Sequence, residues 1–123
     1  MRLLVAISMA ALALGGGAAH AACAVEDLAG KWTVNQTNIN EICGIDVDDE
    51  GEFDGTCRTY VKGKVKTSKT VSGVIDVSEK CTIEGRLKKG DTVRSFGGKV
   101  DADTSMMVGV FFRRSGFVAY RNN

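Results

Sequence analysis

Three clusters of residues have the types and spacing to do chemistry. Asp46-Val47-Asp48-Asp49-Glu50-Gly51 opens like a calcium loop, D-x-D-x-acid-G, with Asp46, Asp48 and Glu50 offering oxygen ligands at alternate positions. The twelfth position of such a loop carries a bidentate Glu, and here it is Cys57, so the competing reading is a solvated acidic hairpin turn. Directly after it, Arg58, Lys62, Lys64, Lys66 and Lys69 form a basic run with no acid before Asp76. Such lysines either guard a strand edge against unwanted pairing or form a docking surface for an acidic partner. Near the C-terminus, Met106 to Arg114 (MMVGVFFRR) is apolar on both faces. If Val108, Val110 and Phe112 point inward, Met107 and Phe111 point outward. Beside Arg113, Arg114 and Tyr120 they would make a protein-binding patch of the residue types enriched at interfaces.

The chemistry that is missing is equally informative. The single His of the chain, His20, lies in the opening run MRLLVAISMAALALGGGAAHAA. That run has one basic residue, an apolar stretch from Leu3 to Leu14 and an Ala19-His20-Ala21 end, the three parts of a secretory signal with cleavage after Ala21. The expected organisation is a signal peptide over 1–21 and one domain over 22–123, exported to the periplasm or the cell exterior. A lipoprotein carrying lipid on Cys23 is the alternative. The apolar stretch is too short to span a bilayer, and no later one approaches it, so no transmembrane segment is expected. Without His20 the domain has no imidazole for a Ser-His-Asp or Cys-His mechanism or for a His-containing zinc site. Among the 15 acids no catalytic pair is singled out by spacing. A non-enzymatic protein with no cofactor is therefore expected, and a hydrolase working with acids alone is the competing case. Removing Arg2 from the 16 basic residues leaves 15 against 15 acids, which gives no global pull toward nucleic acid or an anionic membrane.

Short runs with a period of two, punctuated by Gly and Asp or Asn, position these residues. They predict an all-β fold with strands near 30–36, 41–47, 52–62, 70–77, 80–88, 92–101, 105–113 and 116–121. In an exported chain the even set Cys23, Cys43, Cys57 and Cys81 reads as disulfides, with three possible connectivities. A hairpin centred on Glu50 sets Cys43 beside Cys57, Ile45 beside Gly55 and Val47 beside Phe53, all on one face. Cys43–Cys57 is thus the first bridge, leaving Cys23 for Cys81. A weak repeat, Ile45-Asp46-Val47, Ile75-Asp76-Val77 and Val100-Asp101-Ala102, suggests two more hairpins. One opposes Val77 to Cys81 and Ile75 to Ile83; the other opposes Val100 to Met106 and Phe96 to Val110. Consecutive hairpins with one apolar face predict an antiparallel meander closed into a small disulfide-stapled, up-and-down barrel of seven or eight strands, with a two-sheet sandwich as the alternative. Its lumen would be filled by Trp32, Val34, Ile45, Val47, Phe53, Val71, Ile75, Val77, Ile83, Leu87, Phe96, Val100, Val108 and Val110, with glycines 55, 73 and 85 at the bends.

Gly30-Lys31-Trp32 followed by Gly51-Glu52-Phe53-Asp54-Gly55-Thr56 resembles the opening of the avidin and streptavidin family, which has a G-x-W strand and a G-x-F-x-G-T hairpin. The resemblance implies a small barrel that, like a lipocalin, carries a small apolar molecule in its lumen. Biotin chemistry does not carry over: the Tyr after G-T is Cys57, only Thr59 matches a polar position, and Trp32 is the sole Trp. The early Leu28-Ala29-Gly30-Lys31-Trp32 in a disulfide-tied barrel of this size is also similar to periplasmic inhibitors of secreted metalloproteases and, more loosely, of lysozymes. That likeness implies a surface-binding, inhibitor-like protein with a partner in the envelope or outside the cell.

Overall fold

The computed structural model describes residues 22–122, and the expected signal segment over 1–21 lies outside the described residues. After a 3₁₀ turn, Val25–Leu28, eight strands follow: β1 (Gly30–Gln36), β2 (Glu41–Val47), β3 (Glu52–Val61), β4 (Lys64–Val77), β5 (Thr82–Lys89), β6 (Thr92–Val100), β7 (Met106–Phe111) and β8 (Gly116–Arg121). Each pairs antiparallel with its sequence neighbours, and β8 returns to β1 through Val34↔Ala119 and Asn35↔Val118. This closure makes an up-and-down barrel, not a two-sheet sandwich.

Alternation in the sequence produces the faces. Along β2, Glu41, Cys43, Ile45 and Val47 are buried while Ile42, Gly44 and Asp46 are exposed. The β2–β3 register is the expected one, with Cys43↔Cys57, Ile45↔Gly55 and Val47↔Phe53. Both disulfides form, Cys43–Cys57 across this hairpin and Cys23–Cys81 from the N-terminal segment to the β4–β5 turn.

The other two hairpins correct the expected registers. β4–β5 pairs Val77↔Ile83, Ile75↔Gly85 and Gly73↔Leu87, two residues away from expectation, which leaves every side chain on its intended face. Its cause is the turn. Ser78 N–H donates to Thr82 O, the Ser78 hydroxyl accepts from the N–H groups of Lys80 and Thr82, and Cys81 sits in the turn with φ +63° rather than in a strand. The β2–β3 turn is built alike, with Asp48 as the cap and Gly51 at the positive-φ position. The β6–β7 turn is one residue longer: Asp101 N–H donates to Met106 O, and β6 pairs Val100↔Met107, Gly98↔Gly109 and Phe96↔Phe111. That one-residue difference reverses the faces of β7. Met107 and Phe111 are buried, and Val108 and Val110, expected in the lumen, are exposed.

Inward glycines set how tightly the barrel coils. A Cβ on Gly73 would lie 2.1 Å from Arg86 O and 2.5 Å from the Phe53 ring, and one on Gly85 would lie 2.2 Å from Val74 O and 2.6 Å from the Phe96 ring. Each phenylalanine is the cross-strand partner of its glycine, so the ring covers the backbone that the missing side chain leaves bare. Gly109 and Phe117 repeat the arrangement on β7–β8.

The β6–β7 turn also carries a pH-sensitive group. Burial pushes the Asp101 carboxyl up, but hydrogen bonds from the Ser105 hydroxyl and from the Met106 and Ser105 N–H groups outweigh it and hold the pKa below its ordinary value. A carboxylate lowered in the folded state stabilises above its unfolded pKa and loses that contribution as pH falls through the folded value. Asp101→Asn is therefore expected to melt lower than wild type at neutral pH, with the two midpoints converging in thermal melts as pH falls below the ordinary carboxylate value of 3.8.

Candidate protein interface

The lumen is occupied by side chains. Phe96 meets Phe111 and Phe117 edge-on at 5.7 and 5.9 Å between ring centres, and Phe53 at 6.4 Å. The interior cavity that these rings share with Val34, Ile45 and Met107 is about 30 Å³, room for no more than a water molecule or two. One end of the barrel is closed by the N-terminal segment, where Leu28 and Trp32 have no exposed surface.

The other end is sealed by a polar network. Glu41, 4% exposed, accepts hydrogen bonds from Lys89 Nζ on both oxygens at 2.9 and 2.7 Å and also from Gln36 Nε2. The Ser115 hydroxyl donates to Gln36 Oε1 at 3.0 Å, and no buried side-chain polar atom among the described residues lacks a partner. A buried carboxylate with its charge paired and its lone pairs occupied is a lid, not an open ligand site.

The acidic hairpin does not assemble the expected ligand set. Asp48 Oδ1 is taken by the N–H groups of Glu50 and Glu52, while Asp46 lies on the outer face of β2 opposite Asp54. Among the described residues, the metal-ligand type side chains that do converge are Glu41, Cys43 and Cys57. Two of these are the sulfurs of a disulfide, and the third is bound to Lys89.

The outer face of β7 and β8 carries a cluster of exposed apolar side chains. Met106, Val108, Val110 and Tyr120 are between 37% and 59% exposed, and Phe112, just past β7, is 64% exposed. Cross-strand pairing makes them continuous: Met106↔Tyr120 and Val108↔Val118 across β7–β8, with Val110 between Gly97 and Gly116. These glycines are a reason the patch is open, since neither offers a side chain to cover Val110. The Arg113 guanidinium sits over the Phe112 ring at 5.2 Å, and Lys99 lies opposite Val108. Of the expected binding residues, Arg113, Arg114 and Tyr120 are exposed, whereas Met107 (2%) and Phe111 (7%) belong to the core. Met106, Val108, Val110 and Phe112 take the outward places. The sequence signal for them is the same MMVGVFF run, read with the opposite parity.

The fold and this face define an eight-stranded, disulfide-bonded antiparallel barrel with a filled interior and an apolar strip on one side. Comparison with protein-family models, with curated proteins and with solved structures returns no match.

Proposed function

We propose that this chain is an exported, non-catalytic barrel that binds a protein partner through the outer face of β7–β8, in the manner of an inhibitor or envelope-interaction protein. The observation that carries the reading is the continuous strip of Met106, Val108, Val110, Phe112 and Tyr120. It combines the Met, aromatic and Arg side chains that interface centres favour, and its flanking charges near Phe112 and Val108 are cationic. The partner that fits is a protein surface with an apolar centre and acidic groups at its rim. A lumen of about 30 Å³ supports surface binding over cargo carriage, which calls for about 300 Å³ or more. Export is supported by the signal-like run over 1–21 and by two disulfides, and no helix of the described residues is long and apolar enough to cross a membrane.

The test uses the oxidised protein, immobilised and exposed to periplasmic and secreted proteins, beside Val110→Asp and Phe112→Asp variants. Both positions are exposed, so melting should be unchanged while retention of a specific partner falls at least tenfold. Equal retention by wild type and variants, or no partner at all, would overturn the reading. So would a wild-type dimer in sedimentation that Val110→Asp dissociates, because the strip would then be filled by a second copy.

A further inference from the structure

On the far side of the barrel from β7–β8, the β3–β4 hairpin continues past its neighbours. β4 is 14 residues long, but its pairing with β5 begins only at Val71↔Lys89. Lys64 to Thr70 therefore pair with β3 alone, through Thr56↔Thr70 down to Val61↔Lys64, and are open on the β5 side. All seven residues are exposed. At about 3.3 Å per residue this is roughly 23 Å of strand edge, the longest such run among the described strands. Alternate backbone N–H and C=O groups along it point to solvent, the arrangement onto which an extended segment can add as a further strand. The hairpin is held in shape by a Lys62-Gly63 turn with φ +53° and +80°, and by a hydrogen bond between the Thr59 and Thr67 hydroxyls.

Charge selects the occupant. The open run carries Lys64, Lys66 and Lys69, and the chain has no acid from Arg58 to Ile75. The barrel end at its base adds Lys88, Lys89, Arg94, Arg113 and Arg114, against Asp54, Asp91 and the already paired Glu41. Pairing with the same edge of a second copy would set lysine against lysine, and a basic segment is repelled likewise. The register shifts at Thr59/Tyr60, where Lys66 is the extra residue of β4, and Thr67 to Thr70 pair with β3 in regular register beyond it.

We infer that the open edge of β4, Lys64 to Thr70, is a second binding site that takes an extended acidic protein segment by strand addition. It is separate from the β7–β8 strip, so either can fail without the other. The probe is a ten-residue peptide alternating Glu and Val, titrated into the whole oxidised protein while amide exchange is followed residue by residue. Binding is expected to slow exchange of alternate amides between Lys64 and Thr70 at least tenfold, and to weaken as salt is raised. A peptide of the same sequence N-methylated at alternate residues keeps the charge but cannot complete a ladder, and should lose at least tenfold in affinity. A Lys64→Glu/Lys66→Glu/Lys69→Glu variant, whose changes are all on exposed positions, should melt as wild type and not bind. Equal binding of the methylated peptide would reduce the site to a charged patch and overturn strand addition. Absence of any slowed amide at millimolar peptide, or protection in the free protein of the alternate amides that face away from β3, would overturn it too.

Discussion

Removing the Cys23–Cys81 bridge lowers the unfolding free energy by about 4 kcal/mol, and removing Cys43–Cys57 lowers it by about 3 kcal/mol. The ranking follows from the chain closed by each bond, 58 residues of sequence separation against 14. A cross-link acts largely by restricting the unfolded chain, and the longer loop has more freedom to lose. A second difference points the same way. Cys43 and Cys57 already stand opposite each other in a paired hairpin with a short turn, so residual structure in the unfolded chain can keep them near without the bond. Cys23 has no such neighbour; its N–H donates to Glu79 O at 3.4 Å, and the bridge to Cys81 is what anchors the N-terminal plug. Domains of this size are stable by about 5 to 15 kcal/mol, so loss of the long bridge removes a large share and loss of both brings the chain near unfolding. Because Cys81 has φ +63°, the clean variant is Cys23→Ala with Cys81→Gly, since Ala at 81 would add backbone strain to the measurement. Urea unfolding of each variant gives the comparison. A smaller loss for the Cys23/Cys81 variant than for Cys43→Ala/Cys57→Ala would show that the bonds work through native contacts instead.

The bridge pairing was readable from sequence for a physical reason that also explains where the reading stopped. Across β2–β3 one strand face is apolar and the other carries Asp46, Asp54 and Gly44, so a slip by one residue would bury carboxylates. Only registers of one parity survive, and the short turn capped by Asp48 selects among them. Across β6–β7 that penalty is absent. β7 reads Met-Met-Val-Gly-Val-Phe, apolar at every position, and either parity buries a plausible core. The decision falls to features with no periodicity: a turn one residue longer than those after Val47 and Val77, and a close approach of the Gly98 and Gly109 backbones that leaves no room for a side chain on Gly98. A Cβ on Gly98 would come within 2.6 Å of the Gly109 Cα. The candidate interface inherits this ambiguity. The segment is legible in the sequence and its faces are not, because the outward residues of β7 are chosen by the turn.

The open edge of β4 was half legible in the same sense. Its lysines stand out in the sequence, and a strand over 70–77 was expected, but the fold starts β4 at Lys64. A run of Lys, Thr and Ser with one Val lacks the apolar alternation that marks a half-buried strand, because nothing there is buried. Its extended conformation comes from β3, whose Thr56, Arg58 and Thr59 supply the pairing partners. Strand overhang is a relation between neighbours, and no local pattern encodes it.

Trp32→Ala is expected to cost about 4 kcal/mol, the middle of the range for truncating a buried aromatic. Trp32 has no exposed surface and fills the closed end of the barrel under Leu28. Its Nε1–H donates to Leu28 O at 2.8 Å, which fastens the 3₁₀ turn to the strand below it. Arg121 covers the outer side of the indole, with its guanidinium carbon 4.6 Å from the ring centre. The same guanidinium donates to Ala29 O and Asp27 O, each at 2.6 Å, and to Thr104 O at 2.9 Å. One side chain from β8 thereby holds the N-terminal segment, the β6–β7 turn and the Trp ring. Trp32→Phe should separate the contributions, since it keeps most of the apolar surface and loses the hydrogen bond, for about 1 to 2 kcal/mol. Arg121→Ala leaves three carbonyls without their donor and uncovers the indole, so the emission of this sole Trp should shift to the red while the barrel stays folded. If ring and guanidinium act as one unit, the Trp32→Ala/Arg121→Ala double variant will lose measurably less than the two single losses combined, by about 0.5 kcal/mol or more. Strict additivity would mean that Arg121 holds the chain segments through its hydrogen bonds and that its position over the ring contributes nothing.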